Sequence, residues 1–524
     1  GITSRLDYIQ SLGVDIIWLN PIFLSPNDDN GYDISDYREI MREFGTMEDF
    51  DRLLKEIHKR EMRLVLDLVV NHTSDEHPWF EEARKSRHNP YYNYYHWWPA
   101  EKGEPPLRLS YFDEEGNAWM YNKSTDSYYL HYFSRKQPDL NWENPEVRQE
   151  IFDMMRFWFD KGIDGFRMDS ISLIAKDPSF PLIDSKKYPD IFSFYAKEPR
   201  LHLYLHEMNR QVLSKYDCMS VGEGSAVMVD DVAKFVDPAR EELNMLYHFD
   251  AARIRNTTLP DNPESGIDYS LIALKKMFTE WDKAIDKGWP SIYLGNHDQP
   301  RMVSRFGSDK DEFRALSAKM LITFLLTMRG TPYWFAGDEI GMRNIRFDRI
   351  EDYNDIDTIN RYKKAKAEGK DPQAVLDEQK ETGRDNARTP FQWDRSPEAG
   401  FTAGTPWLKV NPDYTWINVA DEEKDPTSIL NYFKKVVSFR KENPSLIYGS
   451  YHLLDAENPQ SYTFLRKTGA DTYLIMLNFS PKAAISTPGI DMSNAHVLLD
   501  NYGDRSHMAP QKDITLRPFE AIVF

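Results

Sequence analysis

The chain has 524 residues, 41% of them hydrophobic, which predicts a large core and more than one domain. A formal net charge of −19 argues against nucleic acid as a partner, because phosphates would be repelled, and favours a neutral ligand. The single cysteine excludes an internal disulfide or a cysteine metal cluster within this sequence, and without a run of about eighteen apolar residues we expect no membrane span.

Short apolar strands alternate with amphipathic helices from the start of the chain. The spacing of Ile2, Leu6, Ile9 and Leu12 predicts a helix, and VDIIWLNP after it predicts a buried strand. Further strands are predicted at RLVLDLVV, GIDGFRMD, CMSVGE, LNMLYHFD, SIYLGN and TPYWFAG. All of them except LNMLYHFD follow a segment with a helical pattern. This alternation predicts an α/β fold with a parallel sheet covered on both faces.

The number of units favours a (β/α)8 TIM barrel whose first strand would lie upstream of residue 1. The rival is a doubly wound open sheet, which normally has fewer units and a shorter chain. Residues 72–137 are rich in aromatic residues with weak periodicity and predict an inserted domain B after the third strand. Residues 447–524 alternate in short strands and predict a C-terminal antiparallel β-sandwich domain, which leaves residues 1–71 and 138–446 for the barrel.

Polar residues cluster at the ends of the predicted barrel strands, where the active sites of such barrels form. A lone Asp there usually caps a helix, and a lone His usually has a structural role. Their recurrence on one rim favours a site, because unpaired buried carboxylates are costly. The residues are Asp67, Asn71 and His72 after the third strand, Arg167 and Asp169 on the fourth, Glu223 on the fifth, and Asn296, His297 and Asp298 on the seventh.

Arg167 and Asp169 suggest how a nucleophilic carboxylate could be made. Residues two apart on a strand point the same way, so the guanidinium can hold the Asp169 carboxylate ionised. A second carboxyl group that faces Asp169 from another strand, kept partly protonated by like-charged neighbours, would serve as a general acid.

Four segments resemble, in order, the core motifs of glycoside hydrolase family 13, the α-amylase superfamily: DLVVNHTS, GFRMDS, VGEG and GNHDQPR. QPDLNWENP, NDDNGYDISDY and GRDNARTPFQWD resemble motifs of its oligo-1,6-glucosidase and α-glucosidase subgroup. The resemblance covers essentially the whole chain. It implies a retaining, exo-acting α-glucosidase that hydrolyses terminal non-reducing α-linked glucose from short oligosaccharides or disaccharides.

The resemblance also implies roles for individual residues. Asp169 would attack the anomeric carbon, Glu223 would act as acid and base, and Asp298 would favour the oxocarbenium-like state. A retaining mechanism needs nucleophile and acid carboxyl groups about 5 Å apart, which adjacent strands can supply. Substrate contacts are implied for Asp29, Tyr32, His72, Phe112, Arg167, His297 and Arg384.

Within that set, Tyr32 would stack under the glucose, and Phe112 would form a second wall. Asp29 and Arg384 would hold the 4-hydroxyl of the terminal glucose and close the pocket behind it, which implies exo action. The small Ser170 after the nucleophile, where α-1,6-preferring relatives typically carry Val, leaves room for other linkages. VGEGSA also departs from the GET or GEM of α-1,6 enzymes, so we predict α-1,4 or mixed linkage.

Two alternatives have the same fold. A sucrose isomerase would carry an RLDRD-like segment, and ARIRNTTLP lacks those paired charges, so hydrolysis is favoured. A catalytically inactive binding subunit typically loses one of the three carboxylates, and all three are present. No cofactor is predicted, and no metal site is predicted among the candidate residues, because close HxxxH or HxH spacing does not occur among them. The calcium of some relatives would use a loop that is absent from this sequence.

Overall fold

The computed structural model describes residues 1–112, 116–188, 190–254, 270–469, 471–506 and 512–524. They form two compact units, the first made of Gly1–His248 with Ile285–Trp289 and the second of Phe249–Ala284 with Pro290–Phe524. Among the described residues, no helix combines the length and the apolar character needed to cross a membrane.

The first unit alternates strands and helices. Its strands are β1 (Ile16–Leu19), β2 (Phe23–Leu24), β3 (Asp36–Ile40), β4 (Arg63–Val69), β5 (Trp97–Pro99), β6 (Trp119–Asn122), β7 (Ser127–Leu130), β8 (Gly165–Asp169), β9 (Met219–Glu223) and β10 (Met245–Tyr247). Its α-helices are α1 (Leu6–Ser11), α2 (Met47–Lys59), α3 (Pro78–Ala83), α4 (Pro145–Lys161), α5 (Phe192–Tyr195), α6 (Arg200–Gln211) and α7 (Ala233–Val236).

A five-stranded sheet in the order β1-β4-β8-β9-β10 forms the core of the first unit, and its neighbouring strands are parallel. The predicted strands therefore pair in chain order. Val69 of β4 is in register with Asp169 of β8, and Glu223 of β9 is in register with Tyr247 of β10. Because parallel strands end at one edge of a sheet, this register gathers the polar strand ends.

Local sequence explains how β8 is placed. Helix α4 begins at the cap Asn144, whose side chain accepts from the Glu146 N–H, and ends at Gly162 in the left-handed conformation. The chain then enters β8 at Gly165, where a Cβ atom would lie 2.2 Å from the carbonyl oxygen of Met219. Only glycine allows β8 and β9 to approach so closely at that point.

The segment predicted as domain B contains a three-stranded antiparallel sheet in the order β5-β7-β6. Trp119 and Leu130 from this sheet are buried in one cluster with Leu173 and Phe180, which follow β8. The segment predicted as domain B therefore packs against the residues that follow Asp169. The predicted domain boundaries stay predictions.

The second unit carries the remaining elements. Its strands are β11 (Ser291–Ile292), β12 (Thr331–Pro332), β13 (Ser450–Leu454), β14 (Ser461–Thr468), β15 (Asp471–Asn478), β16 (Ala484–Ser486), β17 (Leu499–Asp500), β18 (Ile514–Leu516) and β19 (Ala521–Val523). Its α-helices are α8 (Asp250–Ile254), α9 (Leu271–Ala284), α10 (Met302–Phe306), α11 (Arg314–Thr327), α12 (Ile356–Ala367), α13 (Pro372–Thr382), α14 (Val419–Glu422), α15 (Ile429–Glu442) and α16 (Pro444–Tyr448).

The strands predicted at SIYLGN and TPYWFAG are shorter than their apolar runs, since β11 and β12 pair over two residues each. Pro332 cannot donate to a ladder, which limits β12. At the C-terminus, a sheet in the order β13-β14-β15-β19-β17 and the β16-β18 pair are both antiparallel. Leu474 and Ile522 of the first sheet and Leu516 of the second belong to one buried cluster, as in a sandwich.

Candidate active site

Arg167 connects the carboxylates at the ends of three strands. Its side chain is fully buried, and Nη1 donates to Asp67 Oδ1 and to Asp169 Oδ1, each at 2.8 Å. Nη2 donates to Glu223 Oε2. One guanidinium group therefore bridges Asp169 and Glu223, the two residues predicted to act as nucleophile and acid.

Tyr247 completes this arrangement from β10. Its hydroxyl accepts from Arg167 Nε at 2.9 Å and donates to Glu223 Oε2 at 3.1 Å. The rings of Trp18, Tyr32 and Tyr247 lie 5.1–5.7 Å from the guanidinium carbon, within range of cation–π attraction. Burial lowers the pKa of Arg167, but attraction from Asp67, Tyr247, Tyr32 and Glu223 outweighs it and raises that pKa well above its usual value.

Asp67 anchors Tyr32, the predicted stacking residue. Asp67 Oδ2 accepts from the Tyr32 hydroxyl at 2.8 Å and from Trp18 Nε1 at 3.3 Å, while Asn20 donates to the same hydroxyl at 3.0 Å. Tyr32 is 8% exposed. These bonds fix the plane of its ring, as a stacking platform requires.

His72 is held by its surroundings in a neutral form. Its Nε2 lies 3.0 Å from the Tyr32 carbonyl oxygen and so carries the proton, and Nδ1 accepts from Asn71 Nδ2 at 3.1 Å. Lys176 is also buried, and its Nζ lies 3.0 Å from Asp139 Oδ2. Lys176 Nζ donates to Asn71 Oδ1 at 2.6 Å, and this bond fixes the orientation of the Asn71 amide. Burial lowers the pKa of His72 to about 3.

Asp29 lies in the same region. Its Oδ2 accepts from Gln137 Nε2 at 3.0 Å, and that amide nitrogen is also 3.3 Å from the Tyr32 carbonyl oxygen. Phe112 is half-buried and its ring centroid lies 5.5 Å from that of Phe133. Phe133 is in turn 5.1 Å from His72, so Phe112 is linked to the cluster through one aromatic neighbour.

The second unit gathers its own predicted residues. Asp298 Oδ1 accepts from Arg384 Nη1 at 3.2 Å and from Arg388 Nη2 at 3.0 Å, and Oδ2 lies 3.1 Å from His297 Nε2. Asp355 accepts from Arg384 Nε at 2.8 Å. Burial raises the pKa of Asp298, but His297, Arg384 and Arg388 outweigh it and hold that pKa well below the usual value, so the carboxylate is ionised.

Sequence reasoning gave no role to several residues that hold the predicted ones in place. Tyr247 ends the LNMLYHFD strand, but its partnership with Glu223 depends on strand register, which the sequence does not reveal. Arg388 lies inside the GRDNARTPFQWD motif and could have been found there. Asp355 and Lys176 carried no local signal. In chemical terms, the first unit presents three carboxylates around one cation, and two of them, Asp169 and Glu223, suit displacement at a sugar carbon.

The chain is similar to known proteins over its whole length. Residues 1–449 match the model of the alpha amylase catalytic domain. An oligo-1,6-glucosidase of Parageobacillus thermoglucosidasius is 51% identical, over 100% of this chain and 94% of that protein. An alpha-glucosidase of Pediococcus pentosaceus is 42% identical over 100% of this chain and 94% of that protein.

Among solved structures, the trehalulose synthase of Pseudomonas mesoacidophila MX-45 is similar with a TM-score of 0.94 and 42% identity, covering 100% of this chain and 94% of that one. The similarity confirms the predicted fold class, an α-amylase-type (β/α)8 barrel. Because a solved structure at this identity covers the whole chain, the doubly wound open sheet is excluded. The chain belongs to the α-amylase family of glycoside hydrolases, glycoside hydrolase family 13.

Proposed function

We propose that the chain is a retaining α-glucosidase that releases glucose from the non-reducing end of short α-glucosides. The observation that carries the proposal is the Arg167 guanidinium, which donates to Asp169 Oδ1 at 2.8 Å and also to Glu223 Oε2. Retaining glycosidases need two carboxyl groups about 5 Å apart, and a shared guanidinium group, which keeps the two carboxyl groups near each other, supports that role.

In the first step, Asp169 attacks the anomeric carbon, and Glu223 gives its proton to the glycosidic oxygen as the bond to the leaving sugar breaks. In the second step, Glu223 takes a proton from water, and the resulting hydroxide attacks the same carbon and releases Asp169. Arg167 keeps Asp169 ionised, as a nucleophile requires. Asp298, His297 and Arg384 keep the roles that the family resemblance predicts.

Both steps move protons between carboxyl groups, water and sugar, so the proposal includes no cofactor and no metal. The partner is a small neutral α-glucoside. Exo action is proposed from Asp29 and Arg384, and α-1,4 or mixed linkage from the small Ser170. Relatives named oligo-1,6-glucosidase and alpha-glucosidase both span this chain, which supports a glucoside substrate and leaves the linkage to experiment.

The test is a substrate panel of maltose, isomaltose, sucrose, trehalose and maltotriose. We expect glucose from maltose and isomaltose, glucose and maltose as the first products from maltotriose, and the α-anomer of glucose first by NMR. Asp169→Asn is the control, because the change is nearly isosteric and should abolish turnover while the protein stays folded. First release of the β-anomer, or substantial turnover by Asp169→Asn, would contradict the proposal.

A sucrose isomerase is the second candidate, since the trehalulose synthase noted above has the same fold. The ARIRNTTLP segment that argues against it lies largely outside the described residues, so the choice rests on its sequence. Incubation with sucrose separates the two: free glucose and fructose support hydrolysis, whereas accumulation of isomaltulose or trehalulose would replace it with isomerisation.

A further inference from the structure

One serine after β8 and one after β9 contact the same oxygen of the Glu223 carboxyl group, and a third serine holds the backbone of the second. Ser225 Oγ donates to Glu223 Oε1 at 2.7 Å, and Ser170 Oγ lies 3.4 Å from the same oxygen. Ser172 Oγ donates to the Ser225 carbonyl oxygen at 2.5 Å. The segment that follows Asp169 therefore contacts the Glu223 carboxyl group through Ser170 and the Ser225 backbone through Ser172.

The two oxygens of Glu223 have different surroundings. Oε2 accepts from Arg167 and from the Tyr247 hydroxyl. An oxygen that faces a guanidinium group is a poor site for a proton, because the cation repels it. The proton of the acid form therefore belongs on Oε1, which is the oxygen that Ser225 contacts.

A hydroxyl group suits this position better than an amide or a cation. It donates to Oε1 in the carboxylate form and, through the lone pair that Oε1 keeps, can also donate in the acid form, so the acid proton stays available for the glycosidic oxygen. Glu223 must pass through both states in each cycle of the proposed mechanism. Ser172, which is fully buried, fixes the backbone of Ser225 and so limits where the hydroxyl can lie.

We infer that Ser225 is a positioning residue for the acid/base step, aiming the proton-carrying oxygen of Glu223 at the glycosidic oxygen. This inference rests on the proposed function. It assigns a task to the VGEGSA segment, whose departure from the sequences of α-1,6 enzymes suggested only a difference in linkage preference.

The experiment compares kcat/KM for isomaltose with kcat/KM for 4-nitrophenyl α-glucoside. A sugar leaving group needs protonation, whereas 4-nitrophenolate leaves with little help, and kcat/KM reports the first chemical step for both. In Ser225→Ala we expect kcat/KM for isomaltose to fall about tenfold to a hundredfold, mainly through kcat, as for loss of one hydrogen bond to a charged group. For the aryl glucoside we expect a fall of less than about threefold.

Two further variants separate positioning from folding. Ser225→Thr keeps the hydroxyl and should restore the isomaltose rate. Ser220→Ala removes a hydroxyl from β9 that bonds to Asn244 and not to Glu223, and should leave the ratio of the two substrates unchanged. Equal losses on both substrates in Ser225→Ala, or no loss, would overturn the inference. If the unaltered enzyme hydrolyses maltose but not isomaltose, maltose replaces isomaltose in the comparison. Failure of the unaltered enzyme to hydrolyse maltose, isomaltose and the aryl glucoside would instead contradict the proposed function.

Discussion

Replacing Asp67 with Asn tests the hydrogen-bond network around Arg167. Asp67 is buried and accepts from Arg167 Nη1 and the Tyr32 hydroxyl at 2.8 Å each, and from Trp18 Nε1 at 3.3 Å. An asparagine has nearly the same shape but one donor group in place of an acceptor oxygen. In one orientation its NH₂ faces the guanidinium, and in the other it faces the Trp18 and Tyr32 donors.

Either orientation removes a charge-assisted bond and leaves a donor facing a donor in a buried place. Arg167 keeps Asp169 and Glu223 as partners, so no buried charge is left unpaired. A buried donor without an acceptor costs about 1 to 3 kcal/mol, and no cavity adds to that figure. We therefore expect the free energy of unfolding of Asp67→Asn to fall by about this amount, measured by urea denaturation with tryptophan fluorescence at pH 7.

Asp51→Asn is the matched control, because Asp51 forms an ion pair with Lys161 at 2.7 Å but its side chain is 51% exposed. That change should cost less than about 1 kcal/mol. If Asp67→Asn cost as little as the control, the network would not contribute as described, and the reasoning from buried donors would be refuted.

Two other predictions concern Arg388 and His77. Arg388→Lys should lower kcat/KM for isomaltose about tenfold to a hundredfold, because lysine cannot keep both the 3.0 Å bond to Asp298 and the 2.8 Å bond to the His297 carbonyl. An unchanged kcat/KM would show that Arg388 does not hold these two residues in place for catalysis. Burial lowers the pKa of His77 to about 3 from 6.5, so below pH 6.5 the unfolded chain binds a proton that the folded chain does not, and stability falls as pH falls. Between pH 7 and pH 4.5, the free energy of unfolding of His77→Asn, measured by urea denaturation, should therefore fall by about 2 to 3 kcal/mol less than that of the unaltered protein. Equal falls in the two proteins would contradict a buried neutral imidazole.

The elements that position the site were predictable because their signals are local. Apolar runs bounded by helical patterns indicated β4, β8 and β9, and Arg167 and Asp169 were placed on one face by strand periodicity alone. The apolar runs predicted β11 and β12 to be longer than they are, because hydrophobicity does not indicate how many residues of a strand pair with its neighbour.

The supporting contacts were not predictable, because they join residues far apart in the chain. Tyr247 meets Glu223 through strand register, and Lys176 meets Asn71 because they follow β8 and β4, which are neighbouring strands of the sheet. Neither relation has a sequence period. Such residues are found only when the strand ends are seen together.

The proposed mechanism depends on Asp169 as the nucleophile, and trapping the covalent intermediate identifies that residue. A 5-fluoro-α-glucosyl fluoride should form a glucosyl-enzyme that hydrolyses slowly, so that peptic digestion and mass spectrometry can locate the added sugar. We expect a fluoroglucosyl ester on Asp169 and none in Asp169→Asn. An ester on another carboxylate, or rapid release of fluoride by Asp169→Asn, would contradict it.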